Sequence, residues 1–168
     1  MVNLIKMQFS KNLSEKGANV KMKTVIIYVS VHHGNTKKVI EAIASKNDVT
    51  LFDVLSKEKI NLGEYDCIGI ASGIAYGKYY PQMIKFAEEN LPENKKVFFI
   101  HTAGSPRENQ NSAVKAVTDS KGCECLGTYF CKGFDTYGPF NLVGGIAKGH
   151  PDNTEIQGAV EFFRKISK

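Results

Sequence analysis

The chain changes its hydrophobic rhythm at intervals: short unbroken apolar runs alternate with stretches in which apolar residues recur every three or four positions. A continuous apolar run bounded by turn residues predicts a strand buried on both faces, and a three-to-four spacing predicts a helix with one buried stripe. On this basis Val25–Val29 is a first strand, followed by a helix over 36–45 with Val39, Ile40, Ile43 and Ala44 inward. Val49–Val54 is a second strand, interrupted by Asp53, and Asn61-Leu62-Gly63 is a turn. Tyr65–Ala71 is a third strand ending at Ser72-Gly73, and a helix over 81–90 buries Met83, Ile84, Ala87 and Leu91, with Pro81 in its first turn. Lys96–His101 is a fourth strand, a helix over 109–120 stops at Gly122, and Cys123–Cys131 is a fifth strand. In the last helix Asp152 stands as N-cap with Glu155 three positions on, and Ile156, Ala159, Val160, Phe163 and Ile166 follow at helical spacing. Strands alternating with helices from Met22 onward predict an α/β domain built on a doubly wound, five-stranded parallel sheet with helices on both faces.

Composition narrows this picture. A chain of 168 residues, 42% of them hydrophobic, suits one domain with a sizeable core. We place that domain at 22–168 and expect residues 1–21, rich in Lys, Asn and Ser and without helical periodicity, to be a poorly packed extension. The extension holds +3 of the +5 net charge through Lys6, Lys11, Lys16 and Lys21 against Glu15. The nearly neutral remainder, with no interleaving of basic and aromatic residues, argues against nucleic acid as a partner. No apolar run approaches the roughly 20 residues of a membrane span, and Lys6 interrupts any signal-peptide core. The four cysteines are too few and too irregularly spaced for a secreted disulfide scaffold, so the expected setting is the cytoplasm with thiols reduced. Cys123, Cys125 and Cys131 share one parity and hence one strand face if no bulge intervenes, which reads as a buried thiol row rather than a redox pair.

Candidate chemistry begins where the first strand turns into the first helix, at Ser30-Val31-His32-His33-Gly34-Asn35-Thr36. A polar, glycine-bearing turn at that junction aims backbone N–H groups and the positive end of the helix at one point, which makes an anion site. The run is neither the nucleoside-triphosphate loop, since no Gly-Lys-Ser/Thr closes it, nor a GxGxxG fingerprint. An ordinary strand-to-helix turn with a polar cap is the plainer alternative. Adjacent His32 and His33 invite a metal reading, but no second pair of ligand residues stands at a useful spacing, so no metal is assigned.

The hydroxyl residues and the Gly34-Asn35-Thr36 ending resemble the loop with which flavodoxins hold the phosphate of FMN, and the order of elements over 22–168 is similar as well. In place of the commoner hydroxyl residues this chain has His32 and His33, whose rings can still donate to a phosphate. The resemblance implies FMN as cofactor, held beyond the carboxyl ends of the strands by three loops. It implies phosphate contacts at Ser30, His32, His33, Gly34, Asn35 and Thr36. Contacts to the flavin ring would come from Gly73, Ile74, Ala75, Tyr76 and Gly77, with Tyr76 stacking on the ring and Tyr79 and Tyr80 serving as packing residues. Thr102, Ala103 and Gly104 would meet the pyrimidine edge, while Arg107 reads as surface. No catalytic side chain is expected, because the chemistry belongs to the flavin.

The twenty-residue stretch Lys132–Pro151 is long for a connection inside a compact domain, which marks it as functional. Its aromatic part, 133–140, either covers one side of a flavin, meets a partner, or is a surface loop packed on itself. Its Gly144–His150 end lacks the lysine a phosphate loop needs and follows no strand, so it is set aside. The leading functional expectation is an FMN-binding electron carrier serving a redox partner protein. The alternative is an FMN-dependent NAD(P)H:quinone or substrate oxidoreductase, which the near-neutral body favours over the strongly acidic carriers. A receiver-type signalling domain is disfavoured, since Ser30 and Ser72 stand where such domains need acidic residues.

Overall fold

The computed structural model describes residues 21–168, so the expected extension over 1–21 lies essentially outside the described residues. Five parallel strands form the sheet: β1 (Thr24–Val29), β2 (Val49–Asp53), β3 (Cys67–Ala75), β5 (Lys96–Ala103) and β6 (Glu124–Lys132), in the order β2-β1-β3-β5-β6. A two-residue strand β4 (Lys78–Tyr79) turns back antiparallel on the end of β3. The helices are α1 (Asn35–Lys46), α2 (Pro81–Asn90), α3 (Ser112–Ser120) and α4 (Asn153–Ile166). Residues of β1 point alternately to the two faces, and each face buries a separate core. Val25, Ile27 and Val29 pack with Met83 and Ala87 of α2 and Val114 of α3. Ile26 and Tyr28 pack with Val39, Ile40 and Ile43 of α1 and with Ala159, Val160 and Phe163 of α4. The doubly wound sheet expected from the apolar pattern is therefore the observed one.

Three expectations need correction. The third strand does not end at Ser72: it runs to Ala75 and closes a hairpin on β4, with Ala75 opposite Lys78. The two linking residues, Tyr76 (φ 51) and Gly77 (φ 76), both adopt left-handed backbone, which a two-residue hairpin of this hand requires. Tyr79 is consequently a buried strand residue, its hydroxyl donating to the Ile100 carbonyl at 3.0 Å. The shared face of the three cysteines is broken by a β-bulge: Val97 pairs with Cys125 but Phe99 with Thr128, so one extra residue reverses the parity. Cys123 packs against the α2/α3 core and Cys131 lies in the α1/α4 core, while Cys125 is exposed. The third helix starts at Ser112, after a 3-10 turn over Glu108–Asn111.

The last helix is capped as its sequence suggests. Asp152 accepts from the Glu155 N–H at 2.9 Å, and Glu155 returns the favour to the Asp152 N–H at 2.8 Å. No helix among the described residues is long and apolar enough to cross a membrane.

Candidate functional site

β1 has β2 on one side and β3 on the other, so the direction of winding reverses between β1 and β3. Crevices outside the carboxyl ends of the strands at such a point are where doubly wound sheets take ligands. Here the loop after β1, the β3–β4 hairpin and the loop after β5 converge on one crevice, joined by residues from the 132–151 loop. The crevice has two parts. A throat of about 30 Å³ is lined by Ser30, His32, Asn35, Thr36, Gly73, Ile74, Ala75, Thr102, Ala103 and Gly104 among others. A wider bay of about 450 Å³ opens beyond it, bordered by Ile74, Tyr76, Gly77, Ala103 and Gly104 together with Arg107, Gln110, Asp135 and 137–140. Of the residues expected from the sequence, His33 and Gly34 line neither part.

The first loop is built as a turn into α1. His33 (φ 53) and Gly34 (φ 65) take left-handed backbone, and Gly34 stands at the N-cap without a side-chain bond. The first turn of a helix leaves its N–H groups without intrahelical acceptors. Ser30 Oγ takes the Lys37 N–H at 3.2 Å, whereas the Gly34 and Thr36 amides have no protein acceptor among the described residues. The Thr36 and Thr102 hydroxyls meet at 2.9 Å and tie the first and third loops together. Asn35 is buried; its Nδ2 donates to the Phe134 carbonyl at 2.8 Å, and its Oδ1 has no hydrogen-bond partner among the described residues. His33 Nε2 lies 2.9 Å from Thr136 Oγ1 and its ring packs on Phe134 with centroids 4.6 Å apart, so this imidazole serves the long loop.

The second loop presents Tyr76 outward, 84% exposed, with its hydroxyl bonded to that of Tyr137. Ser72 Oγ, buried below, accepts from the Tyr80 N–H at 3.1 Å and so holds the start of α2 against the end of β3. Near the end of β5 the buried His101 donates from Nε2 to the Arg107 carbonyl at 3.0 Å, lies flat against Phe130, and meets the Tyr79 hydroxyl at 3.4 Å through Nδ1. Burial holds its pKa down to about 4, the bond to the Arg107 carbonyl opposing. Burial likewise pushes the Cys67 and Cys131 thiols up to about 12, which leaves them poor nucleophiles.

Sequence reading left the role of 133–140 open, named no site residue in 133–137, and gave Tyr80 only a packing role. Gly133 N–H donates to the Ala103 carbonyl at 2.9 Å, and Asp135 exchanges two backbone bonds with Ile146, at 3.1 and 2.8 Å. These ties fold the long loop over the crevice, so of the readings open for 133–140 the surface loop packed only on itself is excluded. Its length and aromatic content were the available signal. Tyr80, expected only to pack, lines the throat from the N-cap of α2. At the far end of the loop His150 Nδ1, Asp152 and Glu155 offer ligand atoms within 4.8 Å of one another. Both carboxylates already serve the α4 cap, and Glu155 also takes His150 Nδ1 at 2.7 Å and the Lys132 N–H at 3.2 Å.

Comparisons with known proteins agree with this architecture. A model of the flavodoxin domain matches residues 25–127. An uncharacterised protein of Methanocaldococcus jannaschii is 38% identical over 149 residues, covering 88% of this chain and 99% of that protein. Among solved structures, an archaeal flavodoxin superimposes with a TM-score of 0.61 at 18% identity, covering 88% of this chain and 100% of the other. Flavodoxin 2 of Bacillus cereus gives 0.63 at 19% identity over 86% of this chain and 97% of that one. A Fusobacterium nucleatum flavodoxin mutant bound to flavin mononucleotide gives 0.61 at 16% identity, over 87% and 96%.

Proposed function

The chain belongs to the flavodoxin family, and from that premise we propose that it binds FMN in the crevice and relays electrons to a redox partner protein in the cytoplasm. The observation that carries this reading is the Asn35 amide oxygen, a buried acceptor without a donor. Leaving such a group unsatisfied costs about 1–3 kcal/mol, so the fold tolerates it where a ligand supplies the donor. It stands at the start of α1, beside amides that have no protein acceptor. A ligand with both hydroxyls and a phosphate meets both needs, and FMN has them. In this reading Ser30, His32, Asn35 and Thr36, with the Gly34 amide, hold the phosphate end, while His33 braces the long loop. Gly73, Ile74, Ala75, Tyr76 and Gly77 with Thr102, Ala103 and Gly104 border the ring. The bound flavin would supply one- and two-electron transfer; these residues bind it, orient it and exclude water.

The test is reconstitution. Purified protein mixed with FMN should turn yellow and retain one flavin per chain through gel filtration, with FAD failing to replace it because the described residues offer a single phosphate cradle. No retention of FMN refutes the reading. A second reading is favoured by the aromatic loop that borders the bay with Tyr137 and Phe140. An FMN-dependent oxidoreductase would hold a small substrate such as a quinone between those residues and the ring, and NAD(P)H oxidation with quinones separates it from a carrier.

A further inference from the structure

A hollow of about 390 Å³ lies apart from the crevice, bordered by Lys38, Phe134, Lys148, Gly149, His150 and Pro151. It shares Phe134 with the throat and no residue with the bay. The Gly144–His150 stretch ends without the lysine of a nucleoside-triphosphate loop, but folding brings Lys38 of α1 to it. His150 is pinned by three bonds: its N–H donates to the Ala147 carbonyl at 3.2 Å, its carbonyl accepts the Phe134 N–H at 3.0 Å, and Nδ1 donates to Glu155 at 2.7 Å. Because a carboxylate accepts at Nδ1, Nε2 is the ring nitrogen left for a ligand. It accepts from a P–OH group, or donates to a phosphate oxygen when the ring is charged. Gly149 (φ 82) is the third residue of the turn that the bond from His150 to Ala147 closes, and its N–H has no acceptor among the described residues. Lys38 and Lys148 are exposed, and neither ammonium lies within 4.0 Å of a described carboxylate, whereas Lys37 pairs with Glu41 at 3.9 Å.

We propose that this hollow is a second anion site, separate from the crevice, and that it takes the phosphate of a phosphate monoester. The inference goes beyond the FMN reading and does not depend on it. Two ammonium groups, a backbone N–H and a ring nitrogen border one space, and the described carboxylates leave both lysines unanswered. A phosphate monoester brings close to two negative charges and three acceptor oxygens, enough to engage both lysines and the Gly149 amide together. A carboxylate ligand, with one charge and two oxygens, would leave a lysine without a partner. Pro151 is buried and Phe134 half-buried, so an organic group carried by the phosphate meets an apolar wall. The acids nearest the site are Glu155 and Asp152, the latter 4.0 Å from Nδ1 of His150. Both are engaged by the α4 cap on the Nδ1 side of the imidazole, and they offset the field of the lysines at long range. Selection therefore rests on direct contact inside the hollow.

The experiment follows backbone amides of the full chain by NMR while inorganic phosphate, and in parallel AMP, is added at constant ionic strength. The Gly149 amide should shift saturably with either probe. Lys38→Gln and Lys148→Gln should each weaken that response about threefold, and the two together about tenfold, because contacts of exposed charges are individually modest. Both lysines are exposed, so the variants should keep the wild-type thermal midpoint. Tighter binding of AMP would identify an organic phosphate as the ligand, and equal or weaker binding would identify free phosphate. Phosphate entering the crevice moves the Gly34 and Thr36 amides instead, and a response confined to those two overturns the second site. A Gly149 shift that never saturates, or that is the same in the double variant as in wild type, overturns it as well.

Discussion

The buried imidazole of His101 makes stability depend on pH in a direction the structure fixes. Its Nε2 must carry the proton, because the Arg107 carbonyl 3.0 Å away can only accept. Phe130 covers one ring face at 5.2 Å, and the Tyr79 hydroxyl, already donating to the Ile100 carbonyl, lies at Nδ1. A second proton would place a charge with no anionic partner in the sheet, and burial holds the pKa down to about 4. In the unfolded chain the same imidazole titrates near the ordinary 6.5. Above that value both states are neutral and the full stability is present. As pH falls below it the unfolded chain takes up the proton first, and stability is lost until the folded value near 4 is passed. At about 1.4 kcal/mol per pH unit, the loss over this window is roughly 3 kcal/mol. Urea unfolding between pH 7.5 and 4 measures it, with His101→Gln as the reference, since an amide can still donate to Arg107 but does not titrate. The stability difference between wild type and variant should shrink by about that amount as pH falls. A difference that stays constant across the range would refute the assignment of a neutral, buried His101.

Gly69→Ala should destabilise by about 1–3 kcal/mol in chemical denaturation, because its Cβ would lie 2.4 Å from Phe98 Cζ and 2.8 Å from Ile26 Cγ1; a neutral result would mean that Phe98 has room to move. Asn35→Ala with Thr36→Ala should weaken FMN by at least about tenfold, since it removes the Oδ1 acceptor for a ligand hydroxyl and the Thr36 hydroxyl beside the phosphate, bonds worth roughly 0.5–3 kcal/mol each, while riboflavin, which keeps the hydroxyls, loses part of that; equal affinity for FMN would remove the ligand from this loop. With Arg107 on the bay's border and Lys78 next along the chain from its Gly77, the potential of the bound flavin should fall as salt screens them or when both become Gln; a reductive titration that shows no movement would assign the potential to backbone contacts and stacking.

What the sequence made legible is what chain-local rules govern. β1 and β5 are buried on both faces, so their apolar runs are unbroken and their positions could be read directly. Asp152 and Glu155 satisfy each other's backbone three residues apart, and that cap was visible as letters. The loop 30–36 was visible for the same reason, since a turn into a helix is settled by its own residues. The bulge in β6 was not, because a single inserted residue leaves the composition of a strand unchanged and shows only in the pairing of Val97 and Phe99 with Cys125 and Thr128. The turn at Tyr76-Gly77 was hidden by Tyr76, which takes a left-handed backbone that tyrosine seldom adopts.

The missed half of the crevice follows from the same division. Asn35 reaches Phe134 across 99 residues, His33 reaches Thr136 across 103, and Tyr76 reaches Tyr137 across 61. No periodicity announces such contacts. What the sequence did contain was an anomaly, a long aromatic connection with Gly133, Gly138, Gly144, Gly145 and Gly149 where a short one would serve. Gly133 shows why those glycines matter: a Cβ there would stand 2.8 Å from Asn35 Nδ2, so the loop can lie on the start of α1 only without a side chain. Gly104 makes the reciprocal demand, since a Cβ on it would stand 2.5 Å from Ile146 Cδ1 and 2.9 Å from Asp135 Cβ. The close fit of the long loop against the first and third loops thus depends on two bare backbones that belong to different elements. An element whose place is decided by its neighbours' missing side chains is one that sequence can flag but not position.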